Sequence, residues 1–113
     1  MKIESKKKAA ISGFLLGVLT VAHAADYTVE QKNKAFLYSG AKARTLKIKV
    51  GDVIHFKNLD SNFHNVFSLS DAKLFDLGSF PQGQSRSVTF DKAGTVEVEC
   101  AIHPEMKMTV EVK

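Results

Sequence analysis

Apolar and polar residues alternate through most of the chain from residue 25 onward, which is typical of β-strands with one buried face. The alternation is strong at Leu46 and Ile48, and again near the C-terminus, where Met108, Val110 and Val112 share one parity. No apolar spacing of three to four residues is sustained over three helical turns. The pattern therefore predicts an all-β domain.

Short strands and turn signals follow one another at intervals of roughly 8 to 12 residues. After a turn at residues 51–52, Ile54 and Phe56 occupy buried positions, so His55 between them is expected to face outward. Residues 75–83 hold two glycines and a proline and are predicted to form an irregular connection. About seven to eight short strands of this kind predict a two-sheet Greek-key β-sandwich.

The N-terminus has a different composition. Four lysines among the first eight residues precede a 14-residue apolar run, Ala9 to Ala22, and Ala22-His23-Ala24 supplies the small residues that a signal peptidase accepts. Because a membrane span needs about 20 apolar residues, this segment is predicted to be an export signal (1–24) that is cleaved after Ala24. A retained N-terminal helix is the alternative. Cleavage leaves a single domain, residues 25–113, without a membrane span.

Removal of the leader changes the charge of the protein. The full chain has a formal charge of +4 and a pI of about 9.2, whereas residues 25–113 carry 12 basic and 11 acidic groups. The basic pI therefore belongs largely to the leader, and no nucleic-acid partner is predicted.

Cys100 is the one cysteine of the sequence, so an intramolecular disulfide is excluded. A free thiol in an exported domain is open to oxidation unless it is buried or bonded. A bound metal could protect the thiol and also help to stabilise a domain of this small size.

A group of metal-ligating residue types precedes the last strand. Cys100, His103 and Met106 follow a Cys-x-x-His-x-x-Met pattern, and His64 opens a predicted strand far upstream. A thiolate, two imidazoles and a thioether are soft or borderline donors, which favour copper over calcium, magnesium or manganese, and this is the ligand set of blue-copper electron-transfer sites. Pro104 has a fixed φ and no N–H, so we expect it to stiffen the loop directly after His103.

Met108, His55 and His23 have side chains of the same donor types. Met108 carries a second thioether, but it shares the core-facing parity of the last strand, and Met106 fits the three-residue step from His103 better. His55 is expected to be an ordinary outward-facing strand residue, and His23 leaves with the leader.

From about residue 44 to 113 the chain resembles the small periplasmic cupredoxins such as amicyanin, pseudoazurin and plastocyanin. The resemblance rests on Gly51-Asp52-Val53-Ile54-His55-Phe56-Lys57-Asn58 leading to His64-Asn65-Val66, and on Cys100-Ala101-Ile102-His103-Pro104-Glu105-Met106. The spacing in the second segment is most similar to that of amicyanin. The stretch Phe75-Asp76-Leu77-Gly78 is similar to single-domain proteins labelled methylamine-utilisation proteins.

This resemblance implies a role for each matching residue. His64, Cys100 and His103 would bind one copper ion, Cu(I) or Cu(II), with Met106 as axial ligand, and Asn65 would hydrogen-bond to the Cys100 loop. The protein would be a monomeric periplasmic carrier of single electrons and not an enzyme, and its redox donor and acceptor would dock transiently near His103.

Three other functions remain open at this point. A periplasmic copper-trafficking or copper-sensing protein could use identical ligands. A Cys-His hydrolase would need an oriented third group and a substrate cleft, for which an 89-residue sandwich offers little room. A purely structural exported domain is the third.

Overall fold

A computed structural model describes residues 24–113 of the chain. The predicted export signal lies outside the described residues, apart from Ala24. Ten strands make up the regular structure of this part: β1 (Asp26–Lys32), β2 (Ala35–Tyr38), β3 (Ala41–Lys42), β4 (Thr45–Ile48), β5 (Val53–Asn58), β6 (His64–Ser70), β7 (Lys73–Phe80), β8 (Ser85–Thr89), β9 (Gly94–Glu99) and β10 (Lys107–Val112).

The strands form two five-stranded sheets, ordered β3-β2-β1-β5-β8 and β4-β10-β9-β6-β7. The pairs β1/β5 and β4/β10 are parallel, and the other pairs are antiparallel. The predicted all-β sandwich is confirmed. The strand count is ten and not seven to eight, in part because the short β3 and the full-length β7 were not expected.

The prediction of an irregular connection at residues 75–83 is wrong for its first six residues, which belong to β7. The strand lies at the edge of its sheet, where a glycine and a bulge are tolerated. Its pairing with β6 shifts register between Asn65 and Phe67, and the Gly78 N–H donates to Oδ1 of Asp76 over 2.8 Å. A local irregularity therefore bends the strand without ending it.

The core lies between the two sheets and is built by the alternation seen in the sequence. Leu46, Ile48, Met108, Val110 and Val112 are all buried, as their parity predicts. Side chains from the facing sheet complete the core, among them Val29, Ile54 and Phe56.

The strand pairing also brings distant parts of the chain together at one end of the sandwich. Strand β6 runs antiparallel to β9, with Phe67 opposite Glu99. The start of β6 therefore meets the loop of residues 100–106, which connects β9 to β10. Among the described residues, no helix is long and apolar enough to cross a bilayer.

Candidate metal centre

His64 and Cys100 reach the same end of the sandwich from neighbouring strands. His64 is the first residue of β6, and Cys100 follows the last residue of β9. Both side chains are buried. Because β6 and β9 are antiparallel, the start of one strand lies beside the end of the other, although 36 residues separate the two side chains in sequence.

Three donor atoms converge at this end. Sγ of Cys100 lies 3.7 Å from Nδ1 of His64 and 3.9 Å from Nδ1 of His103, and the two Nδ1 atoms are 3.2 Å apart. Donors placed at about 2.0–2.3 Å from a common ion lie about 3.3–4 Å from one another. The donor atoms are therefore spaced as one metal ion requires, and their chemistry fits copper.

The loop of residues 100–106 is closed by its own backbone. The Cys100 N–H donates to the Met106 carbonyl over 3.3 Å, and the Met106 N–H donates to the His103 carbonyl over 2.8 Å. Pro104 lies exposed inside the second of these turns, where its missing N–H leaves no donor unsatisfied. The first, fourth and seventh residues of the loop are thereby held close together.

Asn65 connects the two ligand-bearing segments. Its Oδ1 accepts a hydrogen bond from the Ala101 N–H over 2.9 Å, and Sγ of Cys100 lies 3.7 Å from the same oxygen. The hydrogen bond that the resemblance implied for Asn65 is present in the structure, and it fixes the Cys100 loop against the start of β6.

Asp60 is a contact of the site that sequence reasoning missed. Its Oδ2 lies 2.6 Å from Nε2 of His64, on the edge of the ring away from Nδ1. Burial opposes ionisation of this carboxyl, but hydrogen bonds from the Asn33 N–H, from His64 and from the Lys34 N–H outweigh it and hold the Asp60 pKa below its usual value. The available signal was an acidic residue four positions before the histidine, in the polar stretch Asn58 to Asn62.

Two further elements hold Asp60 in place. Oδ1 of the buried Asn58 accepts from the Asp60 N–H over 2.8 Å, and the Asn58 amide donates to the Phe80 carbonyl over 2.9 Å. The β1–β2 hairpin adds its two turn residues, Asn33 and Lys34, whose positive φ angles of 54° and 57° fit a two-residue type I′ turn. Both turn N–H groups point at the Asp60 carboxylate.

The two methionines occupy different positions. Met108 lies in β10 opposite Val98, and its side chain belongs to the buried face that it shares with Val110. Met106 is also buried, but it precedes the strand and ends the loop that carries Cys100 and His103.

His55 lies on the other sheet, away from this cluster. It is in β5, half-exposed, with Nδ1 2.6 Å from Oγ of Ser87 and Nε2 3.1 Å from Oδ1 of Asp26. The outward orientation expected for His55 agrees with these contacts to exposed residues.

An exposed large apolar residue directly precedes each histidine of the cluster. His103 is half-buried, whereas His64 is fully buried. Phe63, beside His64 in sequence, is 54% exposed, and Ile102, beside His103, is 51% exposed. Two large apolar side chains are therefore exposed at positions adjacent in sequence to the two histidines.

Comparison with known proteins agrees with this geometry. A family model described as copper-binding proteins of the plastocyanin/azurin family matches residues 25–113. The methylamine utilization protein MauL of Methylorubrum extorquens is 35% identical over 68 residues, which cover 59% of this chain and 60% of that protein's length.

Solved structures of amicyanin variants share the fold. A reduced variant superposes with a TM-score of 0.67 at 27% identity, over 82% of this chain and 86% of the other. The Cu(I) form of a second variant gives a TM-score of 0.68, with the same identity and coverage. The donor cluster fits one copper ion, the fold is a two-sheet sandwich, and the family match covers residues 25–113. The chain therefore belongs to the plastocyanin/azurin family of copper-binding proteins and is a cupredoxin of the amicyanin type.

Proposed function

We propose that this protein is an exported blue copper protein that carries single electrons between larger redox proteins. His64, Cys100 and His103 are the proposed strong ligands, and Met106 is the proposed weak axial ligand. The observation that carries the proposal is the convergence of one buried thiol and two imidazole nitrogens, all within 4.8 Å of one another. Bound copper would supply a one-electron couple between Cu(I) and Cu(II).

The residues around the cluster support rapid electron exchange. The Asn65 bond to the Ala101 N–H, the backbone bonds of the loop and the Asp60 contact with His64 all hold the donors without help from a metal. A site that changes shape little between two oxidation states loses little energy to reorganisation. Four protein ligands also leave no open position for a substrate, so we infer that the protein is not an enzyme.

His103 is the proposed route for the electron. It is the half-buried member of the cluster. The exposed Ile102 directly precedes it, and the exposed Phe63 directly precedes His64, whose ring centroid lies 4.8 Å from that of His103. A small apolar border of this kind suits brief docking, because weak redox encounters bury little area. We propose that a donor and an acceptor use this surface in turn and that the protein acts as a monomer.

A periplasmic location follows from the proposed export signal. Residues 1–24 have the basic head, the apolar run and the Ala-x-Ala end of a cleavable leader. Mass spectrometry of the protein recovered from a periplasmic fraction tests both the location and the cleavage site.

A copper-trafficking role is the second candidate, because the same ligands can hold Cu(I) for delivery. The test is repeated reduction and oxidation of the copper-loaded protein in the presence of a strong Cu(I) chelator. An electron carrier takes up one electron per protein in each cycle and keeps its copper. Loss of most copper to the chelator after the first reduction would favour trafficking instead. The variant His55→Gln serves as a control, because His55 lies on the other sheet and should not change either result.

A further inference from the structure

The buried carboxylate of Asp52 lies beside the N-terminal end of the described residues, in contact with Ala25. Asp52 is only 4% exposed. Oδ1 accepts a hydrogen bond from the backbone nitrogen of Ala25 over 2.9 Å, and Oδ2 accepts one from the Lys49 N–H over 2.8 Å. Within residues 24–113, no lysine, arginine or histidine nitrogen lies within 4.0 Å of this carboxylate.

The backbone around Asp52 holds this carboxylate in position. Its N–H donates to the Lys49 carbonyl over 3.0 Å and closes a four-residue turn, in which Gly51 adopts a φ of +95°. Its carbonyl accepts from the Phe90 N–H over 2.9 Å. The backbone of Asp52 is therefore held by its own turn and by the residue that follows β8, whether or not Ala25 contributes.

Ala25 is fixed to the same place by a second bond. Its carbonyl accepts from the Val53 N–H over 3.0 Å, which begins the parallel pairing of β1 with β5. Ala25 is also the residue that follows the Ala22-His23-Ala24 sequence. The backbone nitrogen that cleavage would release thus lies in hydrogen-bond contact with a buried acid.

We propose that Asp52 is a receptor for the α-ammonium group that leader removal creates at Ala25. Hydrolysis of the Ala24–Ala25 peptide bond by a signal peptidase consumes one water and yields a carboxylate on Ala24 and an ammonium on Ala25. A neutral amide with one N–H is thereby replaced by a cation with three donors, 2.9 Å from a carboxylate oxygen. The proposal rests on the export step of the proposed function and adds that processing itself strengthens the fold.

The carboxylate is prepared for a cation before cleavage. Backbone hydrogen bonds from Lys49 and then from Ala25 hold the Asp52 pKa below its usual value against the opposing effect of burial, with smaller contributions from the Tyr27 hydroxyl and the charge of Lys49. Charge-assisted hydrogen bonds are shorter and stronger than neutral ones. Because the acid is already desolvated and ionised, the new ammonium gains its attraction at little added desolvation cost to the acid. The expected consequence is a tighter attachment of β1 to β5 in the processed protein.

The test compares two exported chains that differ at the N-terminus. The parent should be recovered with Ala25 as its first residue. A variant with one serine inserted between Ala24 and Ala25 should be recovered with that serine first, which moves the ammonium about 3.3–3.6 Å along the chain and leaves an ordinary amide at Ala25. Each chain is also made with Asp52→Asn and, as a matched control, with Asp26→Asn, an exposed carboxylate next to Ala25. Mass spectrometry establishes each N-terminus, and urea unfolding of the reduced, copper-loaded proteins gives the midpoints.

The inserted serine should lower the urea midpoint of the parent at an unchanged m value. In the Asp52→Asn background the same insertion should lower the urea midpoint much less. In the Asp26→Asn background the insertion should lower the midpoint as much as it does in the parent. Equal effects of the insertion in all three backgrounds would overturn the receptor role of Asp52. If Asp52→Asn does not fold, equal urea midpoints for the parent and the serine variant would overturn the receptor role of Asp52. An N-terminus other than Ala25 in the exported parent would overturn the cleavage site, independently of the redox behaviour at the copper site.

Discussion

The carboxylate of Asp60 lies 2.6 Å from Nε2 of His64, while Nδ1 of the same ring faces the thiol of Cys100 at 3.7 Å. One edge of the imidazole is thus held by an anion and the other is presented to the metal cluster. A carboxylate bonded to the far nitrogen of a ligating histidine fixes the ring orientation and raises the basicity of the ligating nitrogen. The Asp60–His64 contact is therefore expected to set both the geometry and the electron affinity of the site.

Replacing Asp60 with asparagine should raise the reduction potential. The amide keeps an oxygen near Nε2 but carries no negative charge. Because a negative charge stabilises Cu(II) relative to Cu(I), its loss favours Cu(I). A change of about tenfold in the relative binding of the two oxidation states corresponds to about 59 mV for a one-electron couple. Voltammetry of Asp60→Asn measures the shift, with Asp71→Asn, at an exposed position in the β6–β7 turn, as the control. Identical potentials for the parent and Asp60→Asn would show that the contact does not tune the metal.

Replacing Asn65 with alanine should loosen the cluster. The change removes the acceptor of the Ala101 N–H and leaves that donor without its 2.9 Å partner. Loss of such a bond typically costs about 1 kcal/mol of the free energy of unfolding. Chemical unfolding measures this cost, and the rate of copper loss to a chelator should rise as well. Asn62→Ala is the control, because Asn62 contributes only its backbone carbonyl, which accepts a hydrogen bond from the Asn58 side chain. A parent-like copper-loss rate in Asn65→Ala would count against the linking role of Asn65.

The two methionines should respond differently to leucine. Met106→Leu should keep the copper but raise the reduction potential, because a weak thioether donor is lost from the oxidised site. Met108→Leu should leave the potential unchanged and cost less than about 1.5 kcal/mol of stability, since it is a nearly volume-conserving change in the core. Voltammetry of both variants decides which thioether is the axial ligand, and the opposite result would assign that role to Met108.

Electron self-exchange between two copies of the protein tests the docking surface without knowledge of the natural partner. Ile102→Glu should slow self-exchange, because it places a charge on the apolar border near His103 and makes two like charges approach one another. Leu74→Glu is the matched control: Leu74 is 65% exposed and pairs with Leu69, five residues along β6 from His64. NMR line broadening in mixtures of oxidised and reduced protein gives both rates. Equal rates for the two variants, at unchanged potentials, would place electron exit elsewhere.

The sequence predicts the donors of the site better than it predicts their surroundings. Cys100, His103 and Met106 lie within one short loop, so their spacing alone indicates a common centre. His64 is distant in sequence, and its place beside Cys100 depends on the antiparallel pairing of β6 with β9. The convergence was inferred from a resemblance and from residue chemistry, because alternation shows which face a residue occupies but not which strands become neighbours.

Asp60 and β7 show where the prediction failed. The turn that holds Asp60 contains Asn, Asp and Ser, whose side chains can form several alternative hydrogen bonds. The arrangement in the structure depends on Asn58 and on the distant Asn33-Lys34 turn. Nothing local in the sequence specifies that arrangement. In the same way, Gly78 suggested an interruption, but the edge position of β7 lets a register shift absorb it.

The visible absorption spectrum of the copper-loaded, oxidised protein tests the central claim most directly, when it is recorded beside that of Cys100→Ser. An intense blue absorption of this kind depends on a thiolate bound to Cu(II) in a site with two imidazoles. The account predicts that the parent is blue, that a one-electron reductant bleaches it reversibly, and that Cys100→Ser is colourless at equal copper content. A colourless parent that binds one copper ion, or a Cys100→Ser variant that stays fully blue, would contradict it.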